Sequence, residues 1–114
     1  MLDKLVDDVM KIILRGDEPH IKALRGQYES ATIESLELSG AGFFANFKID
    51  DSAVVDCDNM QIGDVSGAVN GMDDAVGFVL FIRDGKIDFL EGYTVGVDEW
   101  PDEKEITIKE NRHV

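Results

Sequence analysis

Residues that could do chemistry are few in this chain, and they fall into three groups. The first is the stretch DDSAVVDCDNMQ, residues 50–61, where Asp50, Asp51, Asp56, Asp58 and Asn59 offer the oxygen ligands that a hard cation takes. Their spacing lacks the central glycine and terminal glutamate of an EF-hand, so the stretch reads as a solvated acidic loop. The single cysteine, Cys57, forms no zinc or thiol-protease spacing with His20 or His113, and no serine stands in a G-x-S-x-G elbow. His20 reads as a solvated or capping residue. The expectation is no catalytic residue, no metal site and no cofactor.

The second group is Glu91 and Tyr93, in the segment LEGYT. A carboxylate entering an apolar face costs several kcal/mol unless it is paired. Glu91 must therefore sit at the sheet rim, bonded to a backbone amide or to Arg15 or Arg25, or line a pocket beside the Tyr93 hydroxyl. The third group is an acidic segment around an aromatic, Asp98, Glu99, Trp100, Asp102 and Glu103. Trp100 is either a lid on the core edge or an exposed anchor of the kind that dominates protein interfaces.

The elements that must position these groups centre on VGFVLFIRDGKIDFLEGYT, residues 76–94. An Asp-Gly pair between two apolar runs is a strong hairpin signal, because both turn residues need positive φ and the turn then matches the strand twist. Strands over 76–83 and 86–94 follow. Regular pairing from that turn sets Ile82 against Ile87, Phe81 against Asp88, Leu80 against Phe89, Val79 against Leu90, Phe78 against Glu91 and Val76 against Tyr93. One face then carries Val76, Phe78, Leu80, Ile82, Ile87, Phe89 and Tyr93, with Glu91 beside them. The other carries Val79, Phe81 and Leu90 beside Asp88, Gly77 and Gly92. A hairpin apolar on both faces is a sheet centre covered twice.

Upstream, Leu2, Leu5, Val6, Val9, Met10 and Ile13 recur at helical spacing and predict an amphipathic helix over about 2–15, ended by Gly16 in a left-handed cap. A short second helix is capped by Asp17, with Pro19 in its first turn and Ile21, Leu24 and Tyr28 as its apolar stripe. The period then switches to two. Strands over 32–38 and 43–49 flank the loop Ser39-Gly40-Ala41-Gly42, pairing Leu38 with Phe43, Leu36 with Ala45 and Glu34 with Phe47. A weak strand over 65–69, a turn over 71–74 and a last strand over 105–109 complete the pattern, with 111–114 frayed. Helices followed by a run of strands predict an α+β domain over 1–114: two N-terminal helices packed on one face of a five- or six-stranded, mostly antiparallel sheet.

A chain of 114 residues buries roughly two-thirds of its unfolded surface, enough to fold without a disulfide. The lone thiol suits a reducing cytoplasm, and no apolar run approaches the roughly 20 residues of a membrane span. Formal net charge is −13, of which residues 1–48 contribute −2 and residues 49–114 contribute −11. Between Lys48 and Arg83 there is no lysine or arginine, while seven aspartates lie there, Asp73 and Asp74 among them. Such a field repels nucleic acid and anionic membranes and steers toward a basic partner.

The segments FVLFIRDGKIDFLEGYT and DEWP, with GAGFFANFKI and IGDVSGAVNGMDDAVG upstream, resemble a group of small, largely uncharacterised bacterial proteins that share an apolar strand, a D-G turn, L-E-G-Y-T and an acidic W-P. The resemblance implies a cytoplasmic bacterial protein and brings no assigned activity. Three functional classes follow from the residues. An acidic protein-binding module, in the manner of an immunity protein neutralising a basic toxin domain, would use a surface spanning the 50–74 region and Asp98, Glu99, Trp100, Asp102 and Glu103. A small-molecule or enzymatic site would open on Glu91 and Tyr93. A homodimer would cover Val79, Phe81 and Leu90.

Overall fold

The computed structural model describes residues 2–95 and 99–110. Helix α1 (Leu2–Ile13) buries Leu5, Val6, Val9, Met10 and Ile13 along one stripe, leaving Asp3, Lys4 and Lys11 in solvent. On the outer face Lys4 pairs with Asp8 and Lys11 with Asp7, each at 2.9 Å and one turn apart. Exposed pairs of this kind add only a few tenths of a kcal/mol, so burial of the stripe dominates. The helix stops earlier than its periodicity suggested, and Gly16 is not left-handed. The orphan carbonyls are met by an arginine instead: Arg25 donates through Nη1 to the carbonyls of Leu14 (2.8 Å) and Gly16 (3.1 Å). Helix α2 (Pro19–Glu29) begins with proline in its first turn, as expected, but its N-cap is Glu18 rather than Asp17 and makes no side-chain cap bond.

Two further polar contacts tie the helices to each other and to the rest of the chain. Tyr28 donates its hydroxyl to Asp7 at 2.7 Å. That bond, then Lys11, hold the Asp7 carboxyl below its ordinary range, while burial and the Asp7 carboxylate push the Tyr28 phenol well above its own. The second contact is a buried amide. Gln27 donates through Nε2 to the carbonyls of Ala53 (2.9 Å) and Gly85 (2.8 Å) and accepts at Oε1 from the Ile87 amide (2.7 Å).

The described residues form one six-stranded antiparallel sheet in the order β1-β2-β5-β4-β3-β6: β1 (Thr32–Ser39), β2 (Gly42–Lys48), β3 (Met60–Val69), β4 (Met72–Arg83), β5 (Lys86–Thr94) and β6 (Ile106–Glu110). This is the α+β arrangement expected, with both helices on one sheet face. β3 and β4 are longer than their apolar patterns, because Asn70-Gly71 makes a second tight hairpin turn with both residues at positive φ, like Asp84-Gly85. The β1–β2 connection is tighter than the four-residue loop expected: Ser39 pairs with Gly42, so only Gly40 and Ala41 turn. Leu38 meets Phe43 and Leu36 meets Ala45 as predicted, but a bulge at Glu34 puts Ile33, not Glu34, opposite Phe47.

The main correction lies in the central hairpin. Ile82 pairs with Ile87 as predicted, yet Phe81 pairs with Phe89, so Asp88 is an extra residue bulged out of β5. Every later partner moves by one: Leu80 with Leu90, Val79 with Glu91, Phe78 with Gly92 and Gly77 with Tyr93. A one-residue slip exchanges the two faces of a strand. Leu90 therefore joins the core beneath the helices, fully buried with Phe43, Phe78, Leu80 and Ile87. Phe89, Glu91 and Tyr93 turn to the opposite face. The gain is Leu for Glu in the core, which outweighs a lost ladder bond because a buried unpaired carboxylate is the costlier error.

Candidate functional site

The sheet face away from the helices is where chemistry-bearing side chains gather. Antiparallel pairing sets them in rows across the strands. One row reads Ser35, Asn46, Phe89, Phe81, Gln61; the next reads Glu37, Phe44, Glu91, Val79; the third carries Gly42, Tyr93, Gly77 and Ser66. Phe81 stacks on Phe89 with ring centroids 4.3 Å apart and planes 20° from parallel, and Phe44 meets Phe89 edge-on at 5.7 Å. The Tyr93 ring lies across Gly77, where a Cβ would push its hydroxyl end aside, so glycine lets the ring lie flat on β4. Phe44 and Tyr93 are each 37% exposed. The result is a contiguous aromatic patch facing solvent.

Glu91 stands at the centre of this patch. Its cross-strand neighbours are Phe44 and Val79, and its neighbours along the same face of β5 are Phe89 and Tyr93. Glu91 makes no hydrogen bond or ion pair among the described residues, whereas the other acid of its row, Glu37, accepts from Asn46 Nδ2 at 2.8 Å. The expected pairing with Arg15 or Arg25 does not form. Arg15 pairs with Glu110 and Arg25 caps α1, both on the helix side. The register sets Glu91 and Tyr93 on the sheet face away from the helices, and both border an open hollow at the sheet end with Ser39, Gly42, Phe44 and Thr94.

The acidic candidates are divided. Asp73 to Ala75 of β4 stand opposite the single residue Ala68 of β3, so the chain bulges again at Asp73 and Asp74. Asp74 sits at φ 55° and its carboxylate accepts from Ser66 Oγ at 2.6 Å, which gives it a local structural task; Asp73 is exposed. The segment after β5 lies at the same end of the sheet: Val95 donates to the Ala75 carbonyl at 2.8 Å and Trp100 to that of Gly40 at 2.8 Å. Glu99 and Asp102 are exposed there, Asp102 capping the turn by accepting from the Lys104 amide, and Glu103 is half-buried. Asp98 lies outside the described residues. Trp100 packs its ring edge-on to Phe43 at 5.0 Å and Phe78 at 6.0 Å, which closes the core edge between the helix layer and the sheet.

The acidic loop 50–59 is at the other end. Val55 donates to the Gly85 carbonyl at 2.9 Å, Asn59 accepts from the Asp84 amide at 2.8 Å, and Asp51 pairs with Lys86. The single acidic surface anticipated over 50–74 and 98–103 is thus two, separated by the length of β4, about 36 Å at the usual rise. Among the described residues no group of three or more His, Cys, Asp and Glu is arranged to hold a metal. Burial first, then Asp58 and Asp56, raise the Cys57 thiol above its ordinary value, which keeps it protonated and a poor nucleophile.

No family model, curated protein or solved structure matches the chain. No helix among the described residues is long and apolar enough to cross a membrane.

Sequence reasoning placed Phe44, Val79 and Phe81 away from the helix layer but missed Phe89 and Tyr93, which it set on the helix side, and it set Leu90 in place of Glu91. The signal was present in the burial preference itself: regular pairing drives Glu91 inward and Leu90 outward, and one bulge reverses both.

Proposed function

We propose that the protein is an acidic binding module for a basic protein partner, which docks on the open face of the sheet. The observation that carries this reading is the contiguous patch of Phe44, Val79, Phe81, Phe89 and Tyr93 left uncovered on one face, while the helices cover the other over β3, β4 and β5 and leave Leu36 and Leu38 of the edge strand β1 exposed there. Aromatic residues at the centre and polar groups such as Ser35, Asn46 and Glu37 at the margin are the anatomy of a protein interface. Six strands spaced about 4.8 Å apart over about 25 Å of strand present about 600 Å², near the ~800 Å² per partner of a standard interface. The −13 charge supports a basic partner, since complementary fields raise association rates.

The test is site-specific photo-crosslinking in the native cell. A photoreactive phenylalanine at position 44 should join the protein to a basic protein, and the same probe at Lys22, exposed on α2, should not. Adducts only to a second copy would replace this reading with the homodimer. The narrower form, an immunity protein neutralising a basic toxin domain, adds one requirement: the captured partner is toxic when expressed alone and harmless when co-expressed. A captured partner without toxicity removes the narrower form and leaves the wider one.

A further inference from the structure

We infer that Glu91 and the rings around it form a receptor for the guanidinium group of an arginine side chain on the partner. This deepens the reading above and rests on it. In the free protein Glu91 is half-buried, ringed by Phe44, Val79, Phe89 and Tyr93, and unpaired among the described residues. Other acids on or beside this face are already engaged: Glu37 with Asn46, Asp74 with Ser66, and Asp88 with Arg83 at 3.8 Å. Covering the patch strips water from Glu91, and a carboxylate so stripped must meet a cation.

That requirement selects the occupant. A second copy docked about a two-fold axis through the patch would bring a second Glu91 against the first, two like charges in a drying interface. A lysine would satisfy the charge as a strongly hydrated point, with no planar surface to offer the rings. Arginine supplies both features. Its guanidinium donates two parallel N–H bonds to a carboxylate, and its flat, weakly hydrated faces stack on aromatic rings such as Phe44 and Tyr93.

The probes are N-acetyl-arginine-N-methylamide, its lysine and citrulline counterparts, and an eight-residue arginine peptide, titrated into the 15N-labelled protein by NMR. The arginine amide should give saturable shifts at the amides of Phe44, Glu91 and Tyr93. The lysine amide should bind at least threefold more weakly, and the uncharged citrulline amide should not bind. Glu91→Gln, isosteric and half-exposed, should keep the wild-type spectrum elsewhere and weaken arginine binding about tenfold. Arginine-peptide binding that is equal in the wild type and Glu91→Gln overturns the receptor and leaves the basic-partner reading standing. Failure of both the amide and the peptide overturns both. A concentration-dependent dimer that broadens these same amides overturns the receptor in favour of a second copy.

Discussion

The two faces of strand β4 are almost equally apolar, yet they lead different lives. Val76, Phe78, Leu80 and Ile82 lie under the helices and are buried to 2% exposure or less. Gly77, Val79 and Phe81 point the other way, where Phe81 finds only Phe89 to stack on. Hydrophobicity along a strand therefore says that a face wants cover, and the topology of the rest of the chain says whether it gets any. Here both helices precede the sheet and pack on the same side, α1 over β3 and β4 and α2 over β5, so the second face is left to something else.

The largest expected effect sharpens this contrast. Leu80→Ala should lower stability by about 2–5 kcal/mol in a urea melt, because nothing around Leu80 can collapse into the space. Phe44→Ala, on the open face, should cost less than about 1 kcal/mol. Equal costs would mean that the open face is already part of a core. Trp100→Ala comes next, at about 2–3 kcal/mol, since its ring closes on Phe43 and Phe78 and leaves both exposed when removed. A near-wild-type melt would return Trp100 to the role of an exposed anchor.

Gln27→Leu attacks the joint between the covered face and the hairpin turn. It leaves the Ile87 amide and the Ala53 and Gly85 carbonyls without their partner, at about 1–3 kcal/mol, read as the same shift in a urea melt. Deleting Asp88 tests the bulge in the opposite sense. Removing the extra residue keeps Ile87 and Leu90 inward and Phe89 and Glu91 outward, so stability should change by less than about 1 kcal/mol and amide spectra should move only near the turn. Unfolding on deletion would show that the regular register is the native one.

The smallest effect is electrostatic and separates the helix layer from the sheet. Asp7 has a depressed folded-state value, so its contribution is complete above the unfolded aspartate range near ~4 and is lost as pH falls through the folded value. Tyr28 has a raised one, so the folded state holds the proton longer and stability declines as pH climbs past ~10. Tyr28→Phe should flatten both limbs of a stability-against-pH curve. The acid limb should change by no more than about 0.5 kcal/mol, since Asp7 is half-exposed and screened.

Much of this was legible in the chain. The helical stripe from Leu5 to Ile13, the Asp84-Gly85 turn and the α+β order all rest on local periodicity and turn chemistry, which neighbours seldom override. The site was legible only in part. Glu91 and Tyr93 stand out as polar groups in an apolar strand, but their face depends on a bulge at Asp88 that the Asp-Gly turn does not announce and that shows only in the cost of regular pairing, which would bury Glu91 and expose Leu90. Grouping the acids failed for another reason. Asp50 and Asp73 belong to one run without lysine or arginine, but strand β3 and its hairpin carry the two to opposite ends of the sheet.

The amide of Gln27 has a consequence for how the chain folds. Its three partners lie 26, 58 and 60 residues further along, in two separate segments. The Asp84-Gly85 hairpin can close by itself in microseconds, whereas this clip requires the finished hairpin, the docked 50–59 loop and a formed α2 at the same moment. An interaction that needs all three at once is expected to form after the rate-limiting barrier. Weakening the clip should therefore speed unfolding while leaving the folding rate nearly unchanged, so Gln27 governs the lifetime of the native state more than its formation.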